Sequence, residues 1–526
     1  MNSNKIIYSS IVLAAAVLAS SCSKSLDTSP SNKYDEETFW YSANGANGGM
    51  NGCYNALIQD GTYGNAVVLW EEAASPNAYN YDNRIGFNDI ALGTHTAGVA
   101  AASSRWKACY TGIGRCNLLL QRIDLNKELS SGQIERMKGE ARFLRALFYQ
   151  MLITYFNDVP LITAEADLSQ SNEPRTPRKQ IVDFLLTELD AIAKVLPPAY
   201  TATGDKGRAT SGAALSLKAR ILLYEASPLL NPTNDREKWR AAAEAAKVVM
   251  DDNQYQLFGN YRNLFMLANE YSKECIFDVQ FLGPNVGSSF DVTLRQYSNC
   301  APVRDLIDSY WMKDGKPRAS SAVVDPANFY NNMDPRFAQT VVYPGATYMG
   351  TVVNNTRFAQ TGYTYKKYSI YDAAAITGAD ASLGDLKSGI NYMVLRYADI
   401  LLMYAEAKVE MNEFTATDWN NTIKLIRQRA GFTDAAALDF PADATPKQLQ
   451  DIIRYERRIE FAGEGFYYND VRRWKLAETV MNTTIRKFDN TPIITRTFDA
   501  ARDYWWPVPA TERDKNPKLE QNPGKY

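Results

Sequence analysis

The sequence predicts a mainly α-helical protein, with antiparallel helix pairs, a loop-rich region and few short strands. Three observations carry this. Apolar residues recur at helical spacing as far as Glu270, the period vanishes between Tyr271 and Tyr392, and it returns from Met393. The clearest stripe is Ala141 to Tyr155, with Phe143, Leu144, Leu147, Phe148, Met151, Leu152 and Tyr155 on one face. A second runs from Ile181 through Leu185, Leu189 and Ile192 to Leu196. It opens on Thr176-Pro177, read as a side-chain cap followed by proline at the first helical position. A third spans Ala213 to Tyr224 and stops before Pro228, and a fourth spans Trp239 to Met250. Short loops between such helices imply antiparallel neighbours.

Between Tyr271 and Tyr392, Gly, Asn, Pro, Ser and Tyr crowd together. Strand-like Glu274-Cys275-Ile276-Phe277-Asp278-Val279 and the turn signal Lys313-Asp314-Gly315 fall there. Helices are expected again at Met393 to Met411, Asp418 to Ala430 and Lys447 to Ala462. The last begins Thr445-Pro446-Lys447-Gln448, a capping box with proline in the first turn. Trp505 to Tyr526, rich in Pro and Asn, reads as an extended strap over the body.

The start of the chain has the build of a secretory signal. Lys5 is followed by the apolar run Ile11 to Leu18, then Ala19-Ser20-Ser21 and Cys22. The run is too short for a bilayer, which needs about 20 residues. A cysteine directly after small residues is the acceptor pattern of a bacterial lipoprotein, so Cys22 is the expected lipidation site. The alternative is an ordinary cleaved signal with an incidental cysteine. At about 0.8 kcal/mol per buried methylene, two or more acyl chains hold a protein firmly on a membrane. Ser23 to Lys33 is polar and reads as a tether.

Composition narrows the function. Apolar content of 45%, charged content of 22% and a net charge of −2 without a basic block suit a water-soluble body and argue against nucleic acid. Most of the 32 Tyr, 21 Phe and 9 Trp are expected in the core, and tyrosine in such excess also suits a surface for polar ligands with flat apolar faces. Cys53, Cys109, Cys116, Cys275 and Cys300 match no zinc spacing and are expected as buried free thiols, although export would allow some to pair. His95 is the sole histidine, so no two-histidine zinc site can form and any triad would have to use it. There is no G-x-S-x-G elbow and no P-loop, and Gly112-Ile113-Gly114 sits inside an expected helix. No cofactor and no metal site is implied.

Several segments closely resemble the SusD/RagB family. They are Leu395-Arg396-Tyr397-Ala398-Asp399-Ile400-Leu401-Leu402-Met403-Tyr404-Ala405-Glu406-Ala407, Ile426-Arg427-Gln428-Arg429-Ala430-Gly431, Arg454 to Gly465, Asp470-Val471-Arg472-Arg473-Trp474, and Trp506-Pro507-Val508-Pro509 with Asn522-Pro523-Gly524. Trp106 to Asn117, Glu140 to Ala146 with Asp158-Val159-Pro160-Leu161, and Gly207 to Leu222 add the N-terminal half. The resemblance implies a tetratricopeptide-like hairpin scaffold with a loop-rich ligand region. It also implies a non-catalytic lipoprotein of the outer membrane that binds glycans, or in some branches peptides, as the lid of a SusC-like TonB-dependent transporter. It divides the chain into a signal at 1–21, lipidated Cys22 and tether at 22–35, a helical region at 36–268 and a C-terminal region at 269–526. The last comprises loops at 269–392, helices at 393–480 and a strap at 481–526. One departure is the single acid, Asp27, shortly after Cys22, where the family often carries several.

The motif charges Arg396, Asp399, Glu406, Arg457, Arg458, Glu460, Arg472 and Arg473 read as inter-helix ion pairs and carbonyl caps. Ligand contacts are expected from two aromatic, polar segments taken as loops, with buried packing the alternative for each aromatic named. Leu69 to Asn83 offers Trp70, Tyr79, Asn80, Tyr81 and Asp82, and Arg295 to Trp311 offers Arg295, Tyr297 and Trp311. Trp311 is favoured because the turn after it would hold it at the surface. Trp70→Ala and Trp311→Ala are both expected to weaken binding without lowering the melting temperature. A glycan-acting hydrolase and an adhesive surface protein are the competing functions.

Overall fold

The stripe at Ala141–Tyr155 is the C-terminal part of a long helix, and the chain is described by a computed structural model at residues 36–83, 85–375 and 387–526. The signal, Cys22 and the tether lie outside those residues. The main helices are α1 (Ala43–Asn55), α2 (Val67–Ala74), α3 (Ala100–Arg122), α4 (Ser131–Phe156), α5 (Arg178–Ile192), α6 (Ser211–Ala226), α7 (Arg236–Asp251), α8 (Tyr397–Glu410), α9 (Ile423–Ala430), α10 (Pro446–Glu460) and α11 (Tyr467–Arg473). From α3 to α7 each helix packs on the next, and α7 passes the stack to α8, which packs on α10. The predicted mainly helical class is what the chain adopts. Among the described residues every sheet is two-stranded, and no helix is long and apolar enough to cross a membrane.

Four local readings change. The single helix expected at Asp418 to Ala430 is two, Ala416–Asn421 and α9, broken at Thr422. α4 begins earlier than the stripe, because Ser130 and Gln133 form a capping box that its polar first turns conceal. α5 has Pro177 as its N-cap residue, with no side-chain cap. Asp158 Oδ1 instead accepts from Arg178 N at 2.8 Å, while Thr176 pairs with Val159 across a bridge. The helix expected from Met393 starts at Tyr397. Residues Tyr392–Arg396 form strand β4, antiparallel to β2 (Cys275–Val279). That stretch is buried on both faces, so its apolar run fits a strand as well as a helix, and only the distant partner decides.

The motif arginines hold the C-terminal half together. Arg396, 1% exposed, reaches Glu274 at 2.9 Å, Glu460 at 2.8 Å and Glu464 at 2.7 Å. Arg457 spans Asp399 at 2.9 Å and Asp470 at 3.2 Å, and Arg473 grips Glu406 and Asp470. Arg220 of α6 joins Asp399 of α8 at 2.8 Å, tying the two halves. Arg472 takes carbonyls instead, those of Tyr504 and Thr154.

Burial pushes the Glu460 carboxyl up, but Arg429, Arg396 and Arg336 outweigh it and hold its pKa down to about 2 against an ordinary 4.5. A depressed carboxylate contributes stability that is complete above the unfolded value and is lost as pH falls through the folded one. The stability gap between the native chain and Glu460→Gln is therefore expected to be widest above pH 4.5 and to close toward pH 2. Urea midpoints measured across that range would show it, and a gap independent of pH would contradict it.

The chain end is a strap. Trp506, fully buried, donates its N–H to Tyr155 O at 2.7 Å, and Asn522 Nδ2 donates to Phe156 O and Trp506 O at 3.0 and 2.7 Å. His95, buried beneath it, lies 3.6 Å from Asp503.

Candidate functional site

The two segments singled out from the sequence meet. Strand β1 (Ala78–Tyr79) pairs antiparallel with β3 (Ala301–Pro302), with Tyr79 opposite Ala301 and Ala78 opposite Pro302. Val303 N donates to Asn77 O at 3.0 Å and extends the pairing by one bond.

Buried contacts from the motif region clamp the first segment. Glu72, fully buried, accepts from Asn77 Nδ2 at 2.9 Å, Tyr365 O–H at 3.1 Å, and the N–H groups of Gly463 and Gly465, both at 3.1 Å. Burial raises its pKa, which these donors partly offset. The two glycines have φ of +82° and +79°, and a Cβ on Gly465 would sit 2.8 Å from Val68 O. The Phe461-Ala462-Gly463-Glu464-Gly465 stretch thus turns its amides onto the carboxylate at the foot of the site. Arg458 Nε donates to Asn77 Oδ1 at 2.8 Å, and its guanidinium covers Tyr467 at 4.4 Å. Arg496 donates to Ser75 O at 2.6 Å, Ala73 O at 2.9 Å and Ala78 O at 3.0 Å. It is a cation against the C-terminal carbonyls of α2, a favourable position in the helix dipole. Burial lowers its pKa to about 10.

The predicted contact residues divide by exposure. Tyr81 is 42% and Tyr297 45% exposed. Tyr79, Asp82, Arg295 and Trp311 are half-buried. Tyr297 ends a π-helical turn, Val292–Tyr297, and Ser298 beyond it has φ of +47°. Such turns are frequent at functional sites. The Arg295 guanidinium lies 4.9 Å above the Tyr371 ring. Trp311 stacks on Tyr455 of α10, with centroids 3.9 Å apart and planes 7° from parallel, and keeps part of its surface open to solvent. Tyr455 O–H donates to Asp334 Oδ2 at 2.5 Å, so the ring beneath Trp311 is fixed. The turn after Trp311 closes with Gly315 N on Met312 O at 2.9 Å.

Two of the predicted residues belong to the interior. Trp70 lies on α2, not on a loop, and is 6% exposed, with Nε1 donating to Asn65 O at 3.1 Å. Every residue of α2 is buried, so its tryptophan is packing. Trp70→Ala is therefore expected to cost about 3–5 kcal/mol of stability, the range for deleting a buried tryptophan. This reverses the sequence-based expectation of an unchanged melting temperature, and denaturant unfolding measures it. Asn80 is 4% exposed, and its Oδ1 accepts from Asp82 N at 2.8 Å, an Asx turn that shapes the loop.

Sequence reasoning did not find Glu72, Arg458 and Arg496 as supports of the site. Arg458 carried a signal in its motif, but Arg496 had none.

The SusD family model matches residues 263–524. A second family model, described as starch-binding associating with outer membrane, matches residues 69–223. A SusD-like protein of Bacteroides ovatus is 24% identical over 480 residues, covering 88% of this chain and 82% of its own. SusD-like protein P2 of Formosa agariphila is 24% identical over 528 residues, covering 95% and 96%. A crystal structure of a SusD-like carbohydrate-binding protein from Bacteroides fragilis is 29% identical with a TM-score of 0.79, covering 92% of this chain and all of that one. A second SusD-like protein of that species is 26% identical with a TM-score of 0.76, covering 93% and 98%.

Proposed function

Since the chain belongs to the SusD/RagB family, we propose that it is a non-catalytic, lipid-anchored protein of the outer-membrane surface that binds glycans and passes them to a SusC-like TonB-dependent transporter. The observation that carries the reading is the stacked Trp311–Tyr455 pair, which ends the second of two paired aromatic, polar segments. A pyranose presents C–H groups on one face and hydroxyls around its edge. A rigid indole covers the face, while side chains such as Tyr79, Asp82, Arg295 and Tyr297 are of the type that takes the edge. The family description of starch binding at the outer membrane, and the carbohydrate-binding relative at 29% identity, support a sugar as the ligand over an oligopeptide.

Cys22 is the anchor in this reading. Mass spectrometry of the mature N-terminus is expected to find acyl chains on that residue, and an unmodified thiol would remove the anchor. A glycan and peptide array with the soluble form starting after Ser23 identifies the ligand class. Recovery of a large β-barrel in equal amount from solubilised outer membranes supports delivery. New reducing ends released from a bound glycan would instead make the protein a hydrolase.

A further inference from the structure

A second cleft lies at the loop 197–210 between α5 and α6, which folds against β2. Hollows of about 240 and 250 Å³ open on either side of Gly207 and share Lys206, Arg208 and Asp278 as walls. Gly207 has φ of +82°, and a Cβ there would lie 1.4 Å from Gln280 Nε2, which donates to Lys206 O at 3.0 Å. The larger hollow is lined by the rings of Tyr200, Tyr255 and Tyr271. Tyr200 O–H donates to Ala209 O at 3.0 Å, and the Tyr255 hydroxyl meets Thr210 Oγ1 at 3.2 Å, so both rings are held by their tips.

Tyr271 is the unusual member. Its φ is +58°, a left-handed backbone that a bulky side chain adopts only under strain. Its side chain is nonetheless 47% exposed, so packing returns little for that strain. The Lys206 ammonium lies 5.8 Å from its ring centre, and Gln254 and Asp278 stand at the same hollow. A flat aromatic face flanked by an exposed amine and an exposed amide matches a sugar ring in the manner of the first site, on whose reading this one rests.

We propose that this cleft is a second pyranose-binding site, with the Tyr271 ring as its platform and the exposed Lys206 and Gln254 as its hydroxyl partners. It shares no residue with the Trp311 site, so its failure leaves the first reading intact. Two sites on one chain would raise the avidity for a long glycan without any new contact at either.

The test uses the full mature chain and three probes: methyl α-glucopyranoside, methyl β-galactopyranoside and methyl N-acetyl-β-glucosaminide, followed by saturation-transfer NMR. In the Trp311→Ala protein at least one probe is expected to keep its signal. Adding Tyr271→Asn is expected to cut that signal at least tenfold while the melting temperature holds or rises, because asparagine accepts the left-handed backbone. Adding Lys206→Ala, at an exposed position, is expected to weaken the signal several-fold with the fold untouched. Absence of transfer from all three probes in the Trp311→Ala protein, or a signal indifferent to both added substitutions, overturns the proposal.

Discussion

Arg396→Ala is expected to destabilise the protein by about 3–5 kcal/mol, the cost of breaking a buried ion pair by removing one partner. Its guanidinium serves Glu274, Glu460 and Glu464 at once, and all four groups are withdrawn from water. Truncation opens a cavity and leaves Glu274, Glu460 and Glu464 each one cation short, with only Arg429, Arg336 and Lys367 still beside them. Such a loss is a large part of the roughly 5–15 kcal/mol that holds a typical domain. Arg396→Lys should rescue little, because one ammonium cannot replace a fork whose Nε and Nη2 hold both oxygens of Glu464 while Nη1 reaches Glu274 and Glu460. Urea unfolding of the native chain and both variants checks this. A loss below about 1 kcal/mol for Arg396→Ala would mean that the network is decorative.

Trp311→Ala is expected to weaken binding of the array-selected glycan about 10–100-fold, from the roughly 1–3 kcal/mol that an aromatic stacking platform contributes. The stability cost should be about 1 kcal/mol, that of a lost aromatic pair. Trp311 and Trp70 therefore separate cleanly. The half-buried one is expected to govern affinity and the core one stability. Tyr455→Phe tests the support, because it removes the hydroxyl that Asp334 holds while keeping the ring. Calorimetric titration of each variant decides, and an affinity unchanged by Trp311→Ala takes that residue out of the site.

Much of the scaffold was legible because it is written locally. The stripe from Phe143 to Tyr155 and the box Thr445–Gln448 each lie within a few turns of helix. What escaped was non-local. Met393 to Arg396 reads as helix until Cys275–Val279 comes alongside, more than a hundred residues away in sequence. Thr176 looks like a cap until Asp158 arrives to do the work. At the site, composition found both segments, because mixed aromatic and amide residues between helices are conspicuous. It could not say that Trp70 faces inward, since α2 is short and buried all round, Glu71 and Glu72 included, and has no periodicity to read. Nor could it foresee the β1–β3 pairing.

The grip of Arg496 on the carbonyls of Ala73, Ser75 and Ala78 has a temporal meaning. These partners stand 418 to 423 positions apart, so the clasp waits for nearly the whole polypeptide. Contacts of such separation form late and slowly. A nascent chain therefore lacks this clasp, and the candidate site is completed only after the C-terminal segment has been made.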